Sequence, residues 1–229
     1  MLQDRKKTIL EILNEKGSAT VKEIATRIFV SEATVRRDLT ELERLGMVER
    51  THGGAILNEN AKEISIFVRM AENSVGKELA ATNALRIIPK FNTVFVDSSS
   101  TALALATRLD LSHKTVVTNN LETAVRLSRK ENAGVIILGG SVQYNTVSAT
   151  GSYTVRALED FSFDLSLLSC AAVRGKEVFE RSMEQREVKL AAIKRSRFNL
   201  LVYDGAKLGG TGAYKLGELS DFDAVVSDK

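Results

Sequence analysis

A chain of 229 residues with 44% hydrophobic content is long enough to bury two cores of modest size and is too apolar to remain disordered. The net charge of +3 is too small to establish nucleic-acid binding, and residues 1–57 carry ten Lys and Arg against nine Asp and Glu, a net of +1, so the placement of charge matters more than its total. The single cysteine, Cys170, excludes an intramolecular disulfide and a cysteine metal cluster, and no N-terminal apolar run has the length of a signal or a membrane span; the expectation is a cytoplasmic protein with no metal, cofactor or membrane partner.

In chain order, Arg5 to Lys16 carries Ile9, Leu10 and Leu13 at helical spacing, and Gly17 closes that helix as a left-handed cap. Thr20-Val21-Lys22-Glu23 reads as a capping box that opens a short helix with Ile24, Ala25 and Ile28 inward. Phe29 and Val30 are expected to fill a turn before Ser31, which caps a second helix running to Leu45. Val35, Leu39 and Leu42 fall at i, i+4 and i+7 on one apolar stripe, which leaves Ala33, Arg37 and Arg44 opposite it and Thr34 and Arg36 on its flanks. Two capped helices joined by a short turn have the layout of a helix-turn-helix, whose second helix enters the major groove of DNA. Gly46 is expected to stop that helix. Met47 to Ile56 alternates around Gly53-Gly54 as a small hairpin wing should, with Arg50 and His52 near its tip. Residues 1–57 are therefore read as an all-α winged helix-turn-helix with a small β-hairpin. Its candidate DNA contacts are Thr20, Lys22, Ser31, Ala33, Thr34, Arg36, Arg37, Arg44, Arg50, His52 and Gly53.

The run Val30-Ser31, Thr34-Val35-Arg36-Arg37-Asp38-Leu39, Leu42-Glu43, Gly46 and Arg50-Thr51-His52-Gly53-Gly54-Ala55 resembles the DeoR family of bacterial transcriptional regulators. The resemblance implies an operator in double-stranded DNA as partner, and it continues into the second half of the chain.

Residues 58–74 read as a polar linker carrying Ile64, Ile66, Phe67, Val68 and Met70. A helix is expected from Val75 to Ile88, with Leu79, Leu85 and Ile88 inward and Pro89 ending it. Beyond it, short apolar runs at residues 93–96, 115–117, 135–138, 164–168, 199–203 and 224–226 alternate with helical stretches near 102–109, 121–130, 153–158 and 185–195, the signature of a Rossmann-like α/β domain over 75–229 with a mainly parallel sheet. The uninterrupted run Val135-Ile136-Ile137-Leu138 suits a central strand buried on both faces. Cys170 ends one apolar run, where an inert buried thiol is expected.

In such sheets a ligand lies beyond the carboxyl ends of the strands. There the sequence places Asp97-Ser98-Ser99-Ser100-Thr101, Thr118-Asn119-Asn120, Gly139-Gly140 and Lys207, the candidate effector-binding residues. Hydroxyls and backbone amides suit a phosphate, the asparagines suit sugar hydroxyls, and Lys207 supplies a cation. Asp97 either accepts a ligand hydroxyl or orients its loop. Any one of these segments also suits plain helix capping or chain turning. As a set they resemble the sugar-phosphate sensor domain of the DeoR family, which implies a phosphorylated sugar as effector, with Ser99 where that family has glycine, a substitution that requires negative φ. Cys170-Ala171-Ala172-Val173 also lacks the glycine-rich character of the family there, and the chain ends at Lys229 short of the final helix and strand often seen.

The reading is a repressor of a carbohydrate-metabolism operon, acting as a homodimer or larger homo-oligomer. The alternative is a sugar-phosphate isomerase-like enzyme with an accessory DNA-binding module. His52 belongs to the wing and His113 to a polar turn, so neither histidine supplies a base near the strand ends, and no catalytic residue is assigned.

Overall fold

A computed structural model of the chain describes residues 2–44, 47–57, 65–143 and 145–229. Leu45, the expected stop at Gly46, the Arg44 side chain, residues 58–64 of the expected linker and the Val68 side chain lie outside the described residues. Two compact units form, residues 1–72 with 144–146, and residues 73–143 with 147–229.

In the first unit, helix α1 (Leu2–Lys16) buries Ile9, Leu10, Ile12 and Leu13, and Gly17 at φ +74° turns the chain. A strand the sequence reading missed, β1 (Ser18–Thr20), precedes α2 (Val21–Arg27). Phe29 and Val30 lie in the turn between α2 and α3, as expected, but they are not equally covered. Phe29 takes φ +55° with 94% of its surface exposed, and only Val30 packs on the core. Helix α3 (Glu32–Arg44) buries Val35, Leu39 and Leu42, as their spacing requires. Strands β2 (Val48–Thr51) and β3 (Gly54–Leu57) form the wing, and β3 also pairs with β1, giving the antiparallel order β1-β3-β2. The turn is His52-Gly53, with Gly53 at φ +99°. Gly54 serves another purpose: a Cβ there would lie 2.2 Å from the Ala19 carbonyl oxygen, so β1 reaches the sheet only against a bare backbone. Within the segment read as a linker, helix α4 (Ile66–Ala71) packs on α1.

The second unit opens with α5 (Ser74–Ala84) and a single 3-10 turn (Leu85–Ile87) before Pro89. Its inward face corrects the sequence reading. Ala80, Ala81 and Ala84 are fully buried, whereas Leu79 and Leu85 are exposed and Ile88 is half-buried. Along the chain follow β4 (Thr93–Val96), α6 (Ser100–Ala106), β5 (Thr115–Thr118), α7 (Leu121–Leu127) and β6 (Gly134–Ile137). Then come β7 (Ser141–Gln143), β8 (Ser148–Thr150), α8 (Ser152–Glu159), β9 (Leu165–Leu168), β10 (Ala172–Arg174) and β11 (Glu177–Glu180). The unit closes with α9 (Met183–Lys194), β12 (Asn199–Val202), β13 (Tyr214–Glu218) and β14 (Ala224–Val226). Helix α5 packs closely on α6, which presents Ala102 and Ala106, and alanines on both sides let the backbones approach where leucines would hold them apart.

Among the described residues the main sheet has the order β14-β12-β9-β4-β5-β6, with every pair parallel. Val94, Val96, Leu165, Leu167, Leu200 and Val202 face α5 and α6 in one core, while Phe95, Val117, Leu168 and Leu201 meet Leu158, Val188 and Ala192 in the other. The chain builds outward from β4 to β6 and then crosses back to place β9 on β4's other side. That topology makes β6 an edge strand, contrary to the central position read from its sequence, with Ile136 41% and Ile137 46% exposed. An apolar run reports the need for cover without saying which neighbour supplies it.

Gly54→Ala should destabilise the winged unit by about 1–3 kcal/mol, the usual cost of forcing atoms into a packed site. Urea unfolding followed by circular dichroism measures this, and a wild-type midpoint would show that β1 yields without cost.

Candidate functional site

The candidate reading face is assembled from three pieces. Ser31 Oγ accepts from the Thr34 N–H at 3.2 Å and shares a hydrogen bond with Thr34 Oγ1 at 2.9 Å, which fixes the first turn of α3. The helix is then anchored from behind. Asp38 is buried on the apolar side, its Oδ2 taking the Arg5 Nε at 2.5 Å and its Oδ1 the Arg5 Nη2 at 2.8 Å. That two-pronged bond to α1 fixes the roll of α3, and the same hydrogen bonding raises the Arg5 pKa above its ordinary value. The sequence reading gave Asp38 no role, although a carboxylate at i+3 of a buried valine was a visible anomaly on the apolar stripe.

Ala33, Arg36 and Arg37 lie exposed on the far side. Arg36 is within 3.4 Å of Glu32, whereas Arg37 makes no hydrogen bond or ion pair among the described residues. Arg50 is half-buried: its Nη1 donates to Thr40 Oγ1 at 3.3 Å and its Nε to the Gly54 carbonyl at 3.3 Å, tying the wing to α3. His52 and Gly53 form the exposed tip. The Val21 N–H donates to the Gly53 carbonyl at 2.8 Å, which brings that tip beside exposed Lys22 in the first turn of α2. Thr20 caps this helix through a complete box, and its N–H holds the Glu23 carboxyl below the usual carboxylate range.

In the second unit the strand order reverses between β4 and β9, and the crevice beyond their carboxyl ends is where open α/β sheets bind ligands. Asp97 spans this point. Its Oδ1 accepts the Ser99 N–H at 2.8 Å and its Oδ2 the Ser169 N–H at 2.9 Å, so of its two expected roles the structure shows the one that orients the loop. The carboxylate also meets the Lys189 ammonium at 2.9 Å, and Lys189 Nζ donates to Glu180 Oε1 at 2.5 Å and to the Ser169 carbonyl at 2.6 Å. All three charged groups are buried. Burial alone would lower the lysine pKa, but Asp97 and Glu180 outweigh it and hold the pKa above the ordinary value.

Ser99 takes φ −93° and its Oγ caps α6 by accepting the Ala102 N–H, so no glycine is required there. Ser98 Oγ donates to Gln185 Oε1 at 2.8 Å, and Gln185 Nε2 donates to Ser148 Oγ at 2.7 Å. Ser100 and Thr101 open α6 and are buried. Thr118 Oγ1 accepts the Asn120 N–H, and Asn120 Oδ1 caps α7 through the Thr123 N–H at 2.8 Å. Asn119 donates to the Ala149 carbonyl, while its buried Oδ1 has no hydrogen-bond partner among the described residues. Gly139 and Gly140 sit at the exposed end of β6, where the Gly139 carbonyl takes Thr154 Oγ1 at 2.7 Å. Lys207, half-buried after β12, forms no ion pair among the described residues. Cys170 is buried; burial foremost, then the Glu180 carboxylate, pushes its thiol up to about 12, so it stays protonated and inert.

Sequence reasoning missed Lys189, Glu180, Gln185 and Ser148. The available signal was weak, a lysine and a glutamine on the otherwise inward face of α9 beside Val188 and Ala192.

The first unit is thus a winged helix-turn-helix, the architecture of sequence-reading DNA-binding proteins, joined in one chain to an α/β domain with buried polar loops at its switch point. The chain belongs to the DeoR family of transcriptional regulators: residues 5–61 match the "DeoR-like helix-turn-helix domain" and residues 72–229 the "DeoR C terminal sensor domain". DNA binding belongs to the first and effector sensing to the second. Among curated relatives, the lactose phosphotransferase system repressor of Streptococcus mutans is 32% identical, covering 99% of this chain and 92% of its own. The glycerol-3-phosphate regulon repressor of Escherichia coli is 31% identical over 96% and 88%, and the HTH-type transcriptional regulator GolR of Listeria innocua 30% over 98% and 90%. These relatives carry the names of regulators and not of enzymes.

Lys189→Met should cost about 3–5 kcal/mol of stability, because it leaves two buried carboxylates without their cation. The double variant Lys189→Met, Glu180→Gln should recover part of the loss. Equal denaturation midpoints for wild type and Lys189→Met would refute this account of the cluster.

Proposed function

We propose that this chain represses a carbohydrate-metabolism operon in the cytoplasm, with operator affinity set by a phosphorylated sugar held over the loops after β4, β5 and β12. The carrying observation is that the oriented loop Asp97–Thr101 follows β4 at the switch point, while the asparagine pair and a lysine without a carboxylate partner among the described residues follow β5 and β12, the strands flanking the β4–β9 pair, at the same carboxyl edge of the sheet. The names of the lactose and glycerol-3-phosphate repressors support the same class of effector. In this reading the loop amides and the hydroxyls of Ser100 and Thr101 take the phosphate together with Lys207, and Asn119 and Asn120 take sugar hydroxyls. Gly139, where a Cβ would meet open space, leaves room at the end of β6, whereas Gly140 is glycine because a Cβ would strike Thr154 and the Thr150 carbonyl.

On the DNA side, Arg37 and Ala33 meet base edges, with Thr34 beside them. Arg36 grips a phosphate, with Lys22, His52 and Gly53 contacting the backbone from the neighbouring turn. Thr20, Ser31 and Arg50 act chiefly by holding these elements in place. One winged module covers few base pairs, so the regulator works as a homodimer or larger assembly on repeated half-sites. The effector shifts operator affinity by binding the DNA-bound and free states unequally.

Arg37→Ala should weaken operator binding by about 1–3 kcal/mol, measured by fluorescence anisotropy; unchanged affinity removes Arg37 from the interface. In a thermal-shift screen of sugar phosphates, one class should stabilise the wild type, and Ser100→Ala and Lys207→Ala should lose that stabilisation while keeping operator affinity. A wild type that responds to no sugar phosphate would reject the sensing part of the proposal.

A further inference from the structure

The two edges of the main sheet are finished differently. Strand β14 is three residues long and is flanked by Asp221, Asp223, Asp228 and Lys229, the charged blunting that keeps edge strands from pairing. Strand β6 carries charge before it, at Arg129, Lys130 and Glu131, but none within it or after it. The sequence carries no charged residue from 132 to 155, and no strand pairs with the outer side of β6 among the described residues. Around this edge Val125 of α7, Ile136, Ile137, Val142 of β7 and Tyr153 of α8 are all exposed. Helix α7 packs on β6, and the bond from Thr154 to the Gly139 carbonyl ties the start of α8 to the residues after β6, so the elements that carry these groups neighbour β6 in space or in sequence.

The backbone of that edge has a definite pattern. Gly134 donates to the Lys114 carbonyl and Leu138 to the Thr118 carbonyl, both at 2.9 Å and both toward β5. In a parallel ladder, alternate residues turn N–H and C=O to the same side, so Ile136 also faces β5 and Val135 and Ile137 turn both groups outward. Two outward residues separated by one inward residue are self-complementary. On a two-fold axis through Ile136, residue 135 of each strand exchanges a pair of N–H···O=C bonds with residue 137 of the other.

We propose that β6 is the dimer-forming edge, occupied by β6 of a second copy running antiparallel, so that the two six-stranded sheets continue into one. This rests on the dimeric reading of the proposed function and names its interface. The pairing covers Ile136 and Ile137 on opposite faces and gives the apolar run of β6 the second neighbour that its own chain does not supply.

The test uses the full chain. Ile137→Pro removes an outward N–H that β5 does not use, which an edge strand tolerates. Sedimentation equilibrium should show the mass of Ile137→Pro halved against the wild type, with native far-UV circular dichroism. Ile136→Cys should form a covalent dimer under mild oxidant, because the two-fold brings the paired Cβ atoms about 4.5–5.5 Å apart, while Thr82→Cys on the exposed face of α5 should not. If the proline variant loses its fold, the cross-link decides. An assembled wild type with unchanged mass in folded Ile137→Pro, or no cross-linking beyond the Thr82→Cys control, overturns the β6 interface and leaves the dimeric reading standing. A drop in mass with Leu79→Glu instead would place the interface on α5. A wild type that stays monomeric alone and on operator DNA overturns both, while effector sensing is judged separately by thermal shift.

Discussion

The sensor domain is organised around one buried cation. Lys189 stands between Asp97 and Glu180 and bonds the Ser169 carbonyl, so a single ammonium joins the end of β4, the end of β9, the last residue of β11 and helix α9. A lone carboxylate buried at the Asp97 position would be costly, and the lysine makes its burial tolerable. Once Asp97 is fixed, the Ser99 and Ser169 amides follow, and with them the path of the loop that opens α6. The loop after β4 is thus held in place by bonds from within the domain.

The DNA-binding unit uses the same device at smaller scale. Asp38 sits among the apolar side chains of α3 and receives a two-pronged bond from Arg5. Apolar packing by Val35, Leu39 and Leu42 brings the helix down onto the core, but packing alone tolerates rotation. The planar guanidinium does not, and it sets which side chains look outward. In both units a buried ionic contact specifies orientation while hydrophobic burial supplies most of the stabilisation.

Much of this architecture was legible in the chain because it is local. Helix spacing at Val35, Leu39 and Leu42, the Thr20–Glu23 box, the serine cap at Ser31 and the six apolar runs all depend on residues within a few positions of one another. What stayed hidden depends on distant partners. Lys189 reads as an ordinary helical lysine until the fold brings Asp97 and Glu180 beside it, and Gly54 reads as half of a turn until β1 lies against it. The inward face of α5 was misjudged because leucine is more apolar than alanine, yet close approach to α6 selected the smaller residue. Ser99, Asn120 and Asp97 are candidate site residues by their place after a strand. Their observed hydrogen bonds are largely capping and loop orientation, which shape a crevice as much as they line it.

The account as a whole requires that the sensor and the DNA-binding module exchange free energy. Coupling between two binding equilibria is reciprocal: if the sugar phosphate changes operator affinity by some factor, saturating operator DNA must change sugar-phosphate affinity by that same factor. Titration calorimetry of the effector identified by thermal shift, carried out on the wild-type protein with and without saturating operator, measures this directly. The account predicts two different effector affinities whose ratio equals the effector's shift in operator affinity; identical effector affinity in the two states would contradict it.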